Sequence, residues 1–567
     1  MNEKGEIHKR LSSTESGFSS NELLYDIHFE GENDGALPLT KHDTESSSQH
    51  SKLEPKKIPK SLKREDRPVF ITLVILYILQ GVPVGLAFGS IPFFLKSKLT
   101  YSQVGIFSLA AYPYSLKLLW SPFVDSFYSK RIGRRKSWII PIQIISGTTL
   151  ILLGREIDHC LSEPALYLKR ITAYFFLLVF FCATQDIAVD GWALTCISPD
   201  CLSYASTAQT VGINCGYFSS FTVFLALNSP DFANKYVRTI PQDTGLVSVG
   251  GYLTFWGWVY LLVTAVVYFI PEIPPHLSKI HGAKGIAEKV DSSVYNAKSK
   301  YAGKWHSLKN VYYSMYRVLK LPNVQTFVVI LLIAKFAFQV NEGATNLKLL
   351  EKGLSKEDLS ITVLIDFPFE MIFGYYVGRW STGKAPLKPW VYGFAGRLCA
   401  AAFAQGIIYF FPKNGQVSTF YFLLIIIHHL MTSFMSTIQF VSICAFHTNI
   451  ADPSIGGTYM TTLNTLSNYG GTWPKLLLFY LIDKLTVSQC QYFTNGPSAP
   501  QPFSITSEDL KKKCESTGGK PIILRDGFYY TNIFCVVCGI FILQWAKKKI
   551  AFLQSLPRSA WRVTKEN

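Results

Sequence analysis

Charged residues are scarce in this chain of 567 residues: they make up 16% of it, against 49% for hydrophobic residues. A soluble protein of this length carries more charge, near a quarter of its residues. The shortage therefore argues against an ordinary soluble domain and favours a membrane protein. The abundance of aromatic residues, with 41 Phe and 30 Tyr, fits side chains that lie at membrane interfaces.

Signals that would place the chain in a cell are also lacking. No secretory signal stands at the N-terminus, no Asn-X-Ser/Thr sequon occurs, and no retention signal is visible at the C-terminus. Residues 1–68 are polar and poor in apolar side chains, which predicts a disordered cytosolic tail. The formal charge of +17 does not indicate nucleic-acid binding, because Lys and Arg lie mostly in tails and between apolar runs.

Twelve apolar runs follow the tail, each near the roughly 20 residues that a helix needs to cross a bilayer. They lie near 69–95, 103–124, 137–154, 171–195, 204–228 and 250–270, and then near 323–346, 359–379, 389–411, 419–445, 459–482 and 527–546. A cytosolic basic linker, 271–322, separates the two sets. The sequence predicts an all-α membrane protein with six-helix bundles at 69–270 and 323–546, followed by a cytosolic tail at 547–567.

A weak internal repeat supports this division. Shifted by 254 residues, Gln439 falls on Gln185 and Asn468 falls on Asn214 without a gap. A shift of 255 residues aligns a second, separate region. A near-constant offset agrees with two halves related by parallel repetition, as in major facilitator transporters, with substrate bound between the halves near mid-membrane.

Basic loops predict the orientation. Lys and Arg cluster in the loop 130–136, in the central linker and at both flanks of the apolar region, which lie on one side if the span number is even. The positive-inside rule makes that side the cytosol and places both termini there. The triplet 511–513 is an exception, but it lies in a long loop, where the rule weakens.

The eleven Cys lie mostly inside apolar runs, where a thiol behaves as a small hydrophobe. Cys490 and Cys514 differ, because both lie in the last non-cytosolic loop, 485–526. A disulfide between them is possible if that side is oxidising, as in the endoplasmic reticulum lumen. The sequence leaves their geometry open.

Two carboxylates mark the fourth span. Asp186 and Asp190 lie one helical turn apart, and therefore on one face, beside Gln185. Ionisable groups at membrane depth usually face a bundle interior or a watery cavity. A cation such as Lys117, or the Arg134-Arg135 cluster at the helix ends, would hold the pair, which favours a gating or proton-linked role. The alternative is a structural pair that Lys residues on neighbouring helices neutralise.

Other ionisable side chains lie within the predicted spans. The cations are Lys117, Lys335, Arg397 and Lys475, and the further candidates for gating or proton-linked roles are Glu342, Asp366, Glu370, His428 and His429. Four strong cations and five carboxylates in one core suggest mutual pairing together with an anionic cargo. Pairing alone would also explain them.

A charged loop joins the second and third spans. It is a candidate gate on the cytosolic side, and its candidate residues are Asp125, Gly133, Arg134, Arg135 and Lys136. Charge pairs between such residues would close the bundle on the cytosolic side. The loop resembles a motif of the major facilitator superfamily, but its spacing is longer than usual, so which residues pair stays open. Simple positive-inside anchoring is the alternative.

Two strings together resemble one family, the acetyl-coenzyme A transporters (solute carrier family 33). They are Gln-Asp-Ile-Ala-Val-Asp-Gly-Trp-Ala at 185–193 and Lys-Arg-Ile-Gly-Arg-Arg-Lys-Ser-Trp at 130–138, within a resemblance that covers about 68–550. The resemblance implies a major facilitator fold in the endoplasmic reticulum membrane that moves acetyl-CoA from the cytosol into the lumen. It implies acetyl-CoA or CoA and the lipid bilayer as partners, with no cofactor, no metal, no nucleic acid and no catalytic residue.

The intramembrane residues suit such a cargo. Phosphates are bound by Lys and Arg, so the four cations are candidate substrate ligands. Adenine needs a flat apolar or aromatic surface. The candidates for that contact are Tyr112, Tyr114, Trp192 and Trp473, although core packing explains each of them equally well. Carboxylates would repel phosphate, which is why Asp186 and Asp190 are assigned to gating.

Three rival functions stay open. A related permease family for cell-wall muropeptides shares the fold and would need fewer cations, because its cargo is a sugar-peptide. A membrane acyltransferase would use His428 or His429 as a base, but no nucleophile motif accompanies them. A transporter fold that serves as a receptor or scaffold is the third rival, and fold alone never decides between such functions.

Overall fold

The computed structural model describes residues 62–129, 131–198, 201, 203–273, 303–381, 385–412, 417–451, 456–492, 503–505 and 508–563. Almost the whole predicted N-terminal tail, Lys130 and most of the predicted central linker lie outside these residues. We call residues 62–273 the N-half and residues 303–563 the C-half. Both are built almost entirely from helices.

The N-half contains eleven α-helical segments within the described residues. They are α1 (Arg67–Gly85), α2 (Ile91–Lys96), α3 (Tyr101–Phe107), α4 (Tyr112–Leu116), α5 (Ser121–Ser126), α6 (Lys136–Ser162), α7 (Pro164–Cys196), α8 (Ser203–Phe218), α9 (Phe224–Asn228), α10 (Pro230–Tyr236) and α11 (Val249–Phe269). π-Helical stretches join α1 to α2 and α8 to α9, and 3-10 turns join α3, α4 and α5. Residues 67–96, 101–126 and 203–228 are therefore three bent rods.

The C-half opens with a helix that precedes its first span. Its helices are α12 (Gly303–Leu319), α13 (Pro322–Ala334), α14 (Gln339–Lys352), α15 (Lys356–Ser381), α16 (Leu387–Tyr409), α17 (Thr419–Ile450), α18 (Gly456–Leu485), α19 (Glu508–Ser516) and α20 (Gly527–Ser555). A 3-10 turn, Lys335–Phe338, joins α13 to α14 into one rod. A last 3-10 turn spans Arg558–Trp561.

Proline accounts for the bend in the first rod. Pro83 lies inside α1, and Pro92 lies in the first turn of α2, on either side of the π-helical stretch Leu86–Ser90. Proline removes a backbone donor and clashes with the preceding turn, so the helix widens there. Gly89 lets Phe221 approach this stretch, and Phe221 stacks on Phe93 with ring centroids 5.5 Å apart.

Glycines let helices of the N-half approach closely. A side chain at Gly81 of α1 would meet the Cα atom of Gly216 in α8 at 2.9 Å. In the same way, a side chain at Gly147 of α6 would meet the carbonyl oxygen of Gly257 in α11 at 2.9 Å. Small residues at such crossings are typical of helices that pack inside a membrane, where close contact rather than water exclusion drives association.

Nine helical rods within the described residues are long and apolar enough to cross a membrane. They are Arg67–Lys96, Lys136–Ser162, Pro164–Cys196, Thr207–Asn228, Val249–Phe269, Pro322–Lys352, Leu387–Tyr409, Thr419–Ile450 and Gly527–Ser555. The other three predicted spans coincide with residues 101–126, α15 and α18, which are helical but not in this set. The count of twelve spans therefore stays a prediction.

A small sheet covers the end of the C-half. Strands β1 (Val487–Gln491), β2 (Phe503–Ile505) and β3 (Lys520–Arg525) pair antiparallel in the order β2-β1-β3. Cys490 in β1 and Cys514 in α19 are bridged, and both are fully buried. The bridge ties the helix to the sheet. We call the end of the molecule that carries this sheet the disulfide end, and the opposite end the basic-loop end.

Candidate functional site

A cavity of about 310 Å³ lies between the N-half and the C-half. Tyr114 and Ser115 of α4 line it from the N-half, and the C-half contributes Lys335, Gln339, Glu342, Asn468, Gly471 and Thr472. The volume is at the small end of the range for ligand pockets, so the cavity would take one part of an extended cargo. The hydroxyls of Ser115 and Thr472 lie 2.7 Å apart and join the halves at its wall.

Lys335 is the cation that faces this cavity. It stands near the middle of the rod Pro322–Lys352, at the start of the 3-10 turn between α13 and α14. Gly471 leaves room for its side chain, because a Cβ atom there would meet the Lys335 Cδ atom at 2.9 Å. Within the described part of the chain, no carboxylate forms an ion pair with Lys335. The ammonium group is therefore available to an anionic ligand.

The second C-half cation is neutralised inside the protein. Arg397 of α16 is buried and forms an ion pair with Glu342 and a hydrogen bond with Gln439. Its guanidinium also lies 3.7 Å from the centroid of the Phe338 ring, a cation–π contact. Glu342 therefore links the buried Arg397 to the cavity wall. The internal repeat aligns Gln439 with Gln185, but only the structure shows that Gln439 is a partner of Arg397.

Lys475 lies one turn beyond Gly471 on α18, outside the lining of the cavity. A side chain at Gly343 would meet its Cε atom at 3.5 Å, and its ammonium lies 5.6 Å from the centroid of the Phe479 ring. It has no ion pair among the residues that the structure describes. Lys335 and Lys475 are thus the two candidate cations without a carboxylate partner there.

The fourth-span carboxylates form a network in the N-half. Asp186 is fully buried and forms an ion pair with Lys117, whose ammonium lies 5.3 Å from the centroid of the Tyr114 ring. Tyr77 and Gln209 donate to the Asp190 carboxylate at 2.7 and 2.8 Å. Neutral donors thus hold one carboxylate and a cation holds the other.

Gln185 is buried beside that network and donates to the carbonyl oxygen of Leu76 at 3.4 Å. It therefore ties α7 to α1. Because Tyr114 lines the cavity and contacts Lys117, it connects the N-half network to the cavity.

Histidines and a carboxylate of the C-half form a third group. His429 of α17 lies 3.6 Å from Asp366 of α15, and His428 lies 3.2 Å from the side-chain oxygen of Asn341. Asn341 precedes Glu342 on α14, so His428 contacts the helix that carries part of the cavity wall. The side chain of Glu370 lies outside the described residues.

The candidate aromatic residues are placed differently from one another. The rings of Tyr112 and Tyr469 meet edge to face across the two halves, with centroids 5.9 Å apart. Trp473 donates to the carbonyl oxygen of Leu332 at 2.9 Å and lies outside the cavity lining. Trp192 is buried and donates to the carbonyl oxygen of Glu272 at 2.8 Å, at the basic-loop end of the N-half. Only Tyr114 of the four candidates lines the cavity.

The predicted gate loop is assembled within the N-half. Arg135 forms an ion pair with Asp125 at 2.5 Å, and its backbone N–H donates to the Glu272 carboxylate at 2.5 Å. Arg134 donates to the Asp125 carbonyl oxygen at 3.2 Å. Gly191 leaves space for the Arg135 guanidinium, which a side chain at 191 would strike.

Two further residues complete that loop. Lys136 donates to the carbonyl oxygens of Tyr268 and Ile270 at 2.7 and 2.8 Å and so caps the C-terminal end of α11. Gly133 adopts φ 111°, a left-handed conformation that glycine tolerates best. Sequence reasoning missed Glu272, because it lies 137 positions from Arg135 and only the fold brings the two together.

Sequence reasoning also missed a second contact between the halves, at the disulfide end. Lys96 of α2 forms an ion pair with Glu351 of α14 at 3.3 Å. The Asp483 carboxylate of α18 accepts from the backbone N–H groups of Tyr101 and Ser102 at 3.0 and 2.5 Å, at the start of α3. We call these residues the disulfide-end latch. They lie at helix ends, where a charged residue carries no signal in the sequence.

Comparisons with known proteins agree with this architecture. The family profile described as "Acetyl-coenzyme A transporter 1" matches residues 69–387 and 383–563. An uncharacterized membrane protein of Saccharomyces cerevisiae is 47% identical in an alignment of 573 positions. The alignment includes 90% of this chain and all of that protein. An uncharacterized protein of Schizosaccharomyces pombe is 39% identical over 87% of this chain and 88% of its own length.

The more distant similarities are also to proteins described as permeases or transporters. The anhydromuropeptide permease of Escherichia coli K12 is 29% identical over 127 residues, which are 22% of this chain and 25% of the permease. The crystal structure of the nucleoside transporter NupG superposes with a TM-score of 0.55 at 9% identity, over 86% of this chain and all of that one. A bacterial homolog of the human lysosomal transporter Spinster gives 0.54 at 13% identity, over 88% and 100%.

The solved structures confirm the predicted fold class, an all-α membrane protein with the major facilitator fold. Both the family and these structures are described as transporters rather than as enzymes. The family profile accounts for nearly all of the described residues. The chain belongs to the acetyl-coenzyme A transporter 1 family.

Proposed function

We propose that the protein carries acetyl-CoA from the cytosol into the lumen of the endoplasmic reticulum by alternating access. One observation carries the proposal beyond the family name. Lys335 faces a cavity between the halves, near the middle of the apolar rod Pro322–Lys352, and has no carboxylate partner among the described residues. A cation at that depth is costly unless something anionic neutralises it, and a phosphorylated cargo would do so.

The pairing of the other charges also supports an anionic cargo, because it leaves two cations without a carboxylate partner in the part of the chain that the structure describes. Lys117 and Arg397 already have carboxylate partners, so their charge is balanced within the protein. Lys335 and Lys475 are the cations left for phosphate groups. We therefore assign the first two to holding the transporter's own helices and the second two to the cargo, with Tyr112 and Tyr114 as the nearest aromatic surfaces for adenine.

The proposed orientation rests on the two ends of the molecule. Cys490 and Cys514 are bridged at the disulfide end, and disulfides persist on oxidising sides of membranes such as the endoplasmic reticulum lumen. The basic loop lies at the opposite end, which the positive-inside rule assigns to the cytosol. These two features support the same orientation, with both termini and the central linker cytosolic.

A muropeptide permease is the second candidate function. Its support is the similarity of part of this chain to the anhydromuropeptide permease of Escherichia coli. A sugar-peptide offers Lys335 and Lys475 only the carboxylates of its peptide, whereas acetyl-CoA offers several charged phosphate oxygens, which Lys and Arg bind strongly. The cavity therefore favours the acyl-CoA cargo.

Uptake of radiolabelled acetyl-CoA into liposomes that contain the purified protein tests the proposal. We expect saturable uptake that unlabelled CoA inhibits and a muropeptide does not. Empty liposomes and liposomes with heat-unfolded protein provide the background. If the muropeptide inhibited the uptake of acetyl-CoA and CoA had no effect, the result would contradict the proposal and favour a muropeptide permease.

A further inference from the structure

We propose that α12 (Gly303–Leu319) is a membrane-surface helix whose exposed Lys–Tyr face binds the headgroups of anionic phospholipids. Within residues 303–320 the sequence contains three Lys, one Arg and three Tyr, and no Asp or Glu. The inference does not rest on the identity of the cargo.

The helix has two different faces. Leu308, Met315 and Val318 are buried against the rest of the protein. Tyr313 and Tyr316, exposed by 52% and 58%, lie on the outer face. Phenol rings with one apolar and one polar end are typical of the membrane interface. The outer face is therefore suited to the boundary between lipid and water rather than to bulk water.

Cations interleave with these rings. Lys309 and Lys320 are exposed, and the Lys320 ammonium lies 5.8 Å from the centroid of the Tyr316 ring. Neither lysine has an ion pair with any carboxylate that the structure describes. Because the helix carries no acidic residue, its outer face is uniformly positive, and its electrostatic complement is an anionic surface.

The position of α12 points to lipid rather than to a soluble partner. The helix ends at Leu319, and the membrane-spanning rod begins at Pro322. The Tyr312 hydroxyl donates to the carbonyl oxygen of Leu119, beside α5 of the N-half. These two attachments hold α12 within a few residues of the hydrocarbon edge, where lipid headgroups are the most concentrated anions.

A second group of cations widens the positive surface. Exposed Lys547, Lys548 and Lys549 lie near the end of α20. After α20, Asn323 donates to the carbonyl oxygen of Ala560 at 3.1 Å. This hydrogen bond places the segment that carries the exposed Arg558 and Arg562 beside the start of α13. The basic residues of α12 and of the C-terminal segment thus surround the same point of entry into the membrane.

Titration of the full-length protein in detergent with phosphatidylserine, and separately with phosphatidylcholine, tests the inference. The readout is the rise in thermal unfolding temperature with lipid concentration, since a ligand that binds only the folded state stabilises it. We expect phosphatidylserine to stabilise the wild type at concentrations at which phosphatidylcholine does not. For Lys309→Gln/Lys320→Gln we expect binding at least tenfold weaker, because each basic residue near an anionic membrane contributes about fivefold in affinity.

Two matched variants control for charge and for folding. Arg155→Gln/Lys169→Gln removes two exposed cations at the disulfide end of the N-half, and Lys309→Arg/Lys320→Arg keeps the charge on α12. Both are expected to bind phosphatidylserine like the wild type. Equal loss in the Arg155/Lys169 variant, unchanged binding in the Lys309→Gln/Lys320→Gln variant, or equal stabilisation by soluble polyglutamate would each overturn the lipid assignment.

Discussion

Asp186 and Asp190 occupy one face of α7 but meet different partners. A cation balances Asp186, whereas Asp190 accepts hydrogen bonds from the neutral side chains of Tyr77 and Gln209. The sequence treats the two carboxylates as equivalent, because it shows only their spacing. The structure assigns Lys117 to Asp186 and leaves Asp190 as the member of the pair whose charge has no cation in direct contact among the described residues.

The first prediction follows from this difference. Asp186→Asn should leave the half-buried Lys117 ammonium without its counter-ion, at a cost of up to about 3–5 kcal/mol in folding free energy. We expect low expression and a lowered unfolding temperature for this variant. The double variant Lys117→Met/Asp186→Asn removes both charges and should recover most of the stability. If the single variant were as stable as the wild type, the ion pair would not be structural.

The second prediction concerns Asp190→Asn. The Asn carbonyl oxygen still accepts from Tyr77 and Gln209, so we expect folding close to wild type. We expect impaired turnover with an altered pH dependence, because a group that can exchange a proton has been replaced by one that cannot. The measurement is transport across acidic to neutral pH beside thermal unfolding. Wild-type turnover with an unchanged pH profile would show that Asp190 is neither a gate nor a proton site.

The sequence predicts which charged residues lie at membrane depth, but not which of them are neutralised. Lys335 and Arg397 are equally conspicuous as cations in apolar runs. Only the fold shows that Glu342 forms an ion pair with Arg397 and that Gly471 gives Lys335 its space at the cavity. Such partners come from other helices, so no spacing within one helix reveals them.

At the scale of elements, the disulfide-end latch joins the halves through the start of α3. The Asp483 carboxylate accepts two backbone N–H groups there, and hydrogen bonds to a charged group contribute about 1.5–3 kcal/mol each. Opening the transporter at this end requires these bonds to break. The latch therefore stabilises the state in which the disulfide end is closed.

The third prediction is that Asp483→Ala shifts the protein toward opening at the disulfide end. Spin labels at Glu163→Cys in the N-half and Lys484→Cys in the C-half, in a background without the exposed Cys215 and Cys399, report the separation. We expect a longer-distance population that the wild type lacks. Asp231→Ala, which removes an exposed carboxylate from α10, serves as the control and should leave the distances unchanged. Identical distance distributions in all three proteins would exclude the latch.

The small sheet is an element that the sequence does not reveal. Residues 485–526 are predicted only as a long loop with two Cys, since strands of three to six residues leave little periodicity to detect. By contrast, the rods 67–96 and 322–352 correspond to predicted apolar runs, because twenty apolar residues in succession are a strong signal.

The fourth prediction concerns the bridge between β1 and α19. Cys490→Ser/Cys514→Ser removes a cross-link over a sequence separation of 24 residues. The loss should destabilise this region by about 3 kcal/mol in the chain-entropy account. We expect faster protease cleavage within 486–526 while the helical rods stay protected, and no such change in Cys538→Ser. Equal cleavage of the double variant and the wild type would show that the bridge does not hold the region together.

At the scale of the whole molecule, the orientation decides which end of the cavity opens to the cytosol. The fifth prediction is that an epitope tag at residue 20 and one in the 280–300 linker are both cleaved by external protease in sealed microsomes. The reason is the concentration of basic residues at one end and the disulfide at the other. Protection of both tags would reverse the proposed orientation.

We propose that Lys335 binds phosphate groups of acetyl-CoA in the cavity between the halves. The most direct measurement is uptake into liposomes of acetyl-CoA beside S-acetylpantetheine, which has the same thioester but no phosphate, by the wild type, Lys335→Gln and Lys352→Gln. Lys352 is an exposed lysine at the far end of the same rod and controls for the loss of charge. We predict that the wild type and Lys352→Gln prefer acetyl-CoA by at least tenfold and that Lys335→Gln loses most of this preference. Equal uptake of the two compounds by the wild type, or an unchanged preference in Lys335→Gln, would contradict the account.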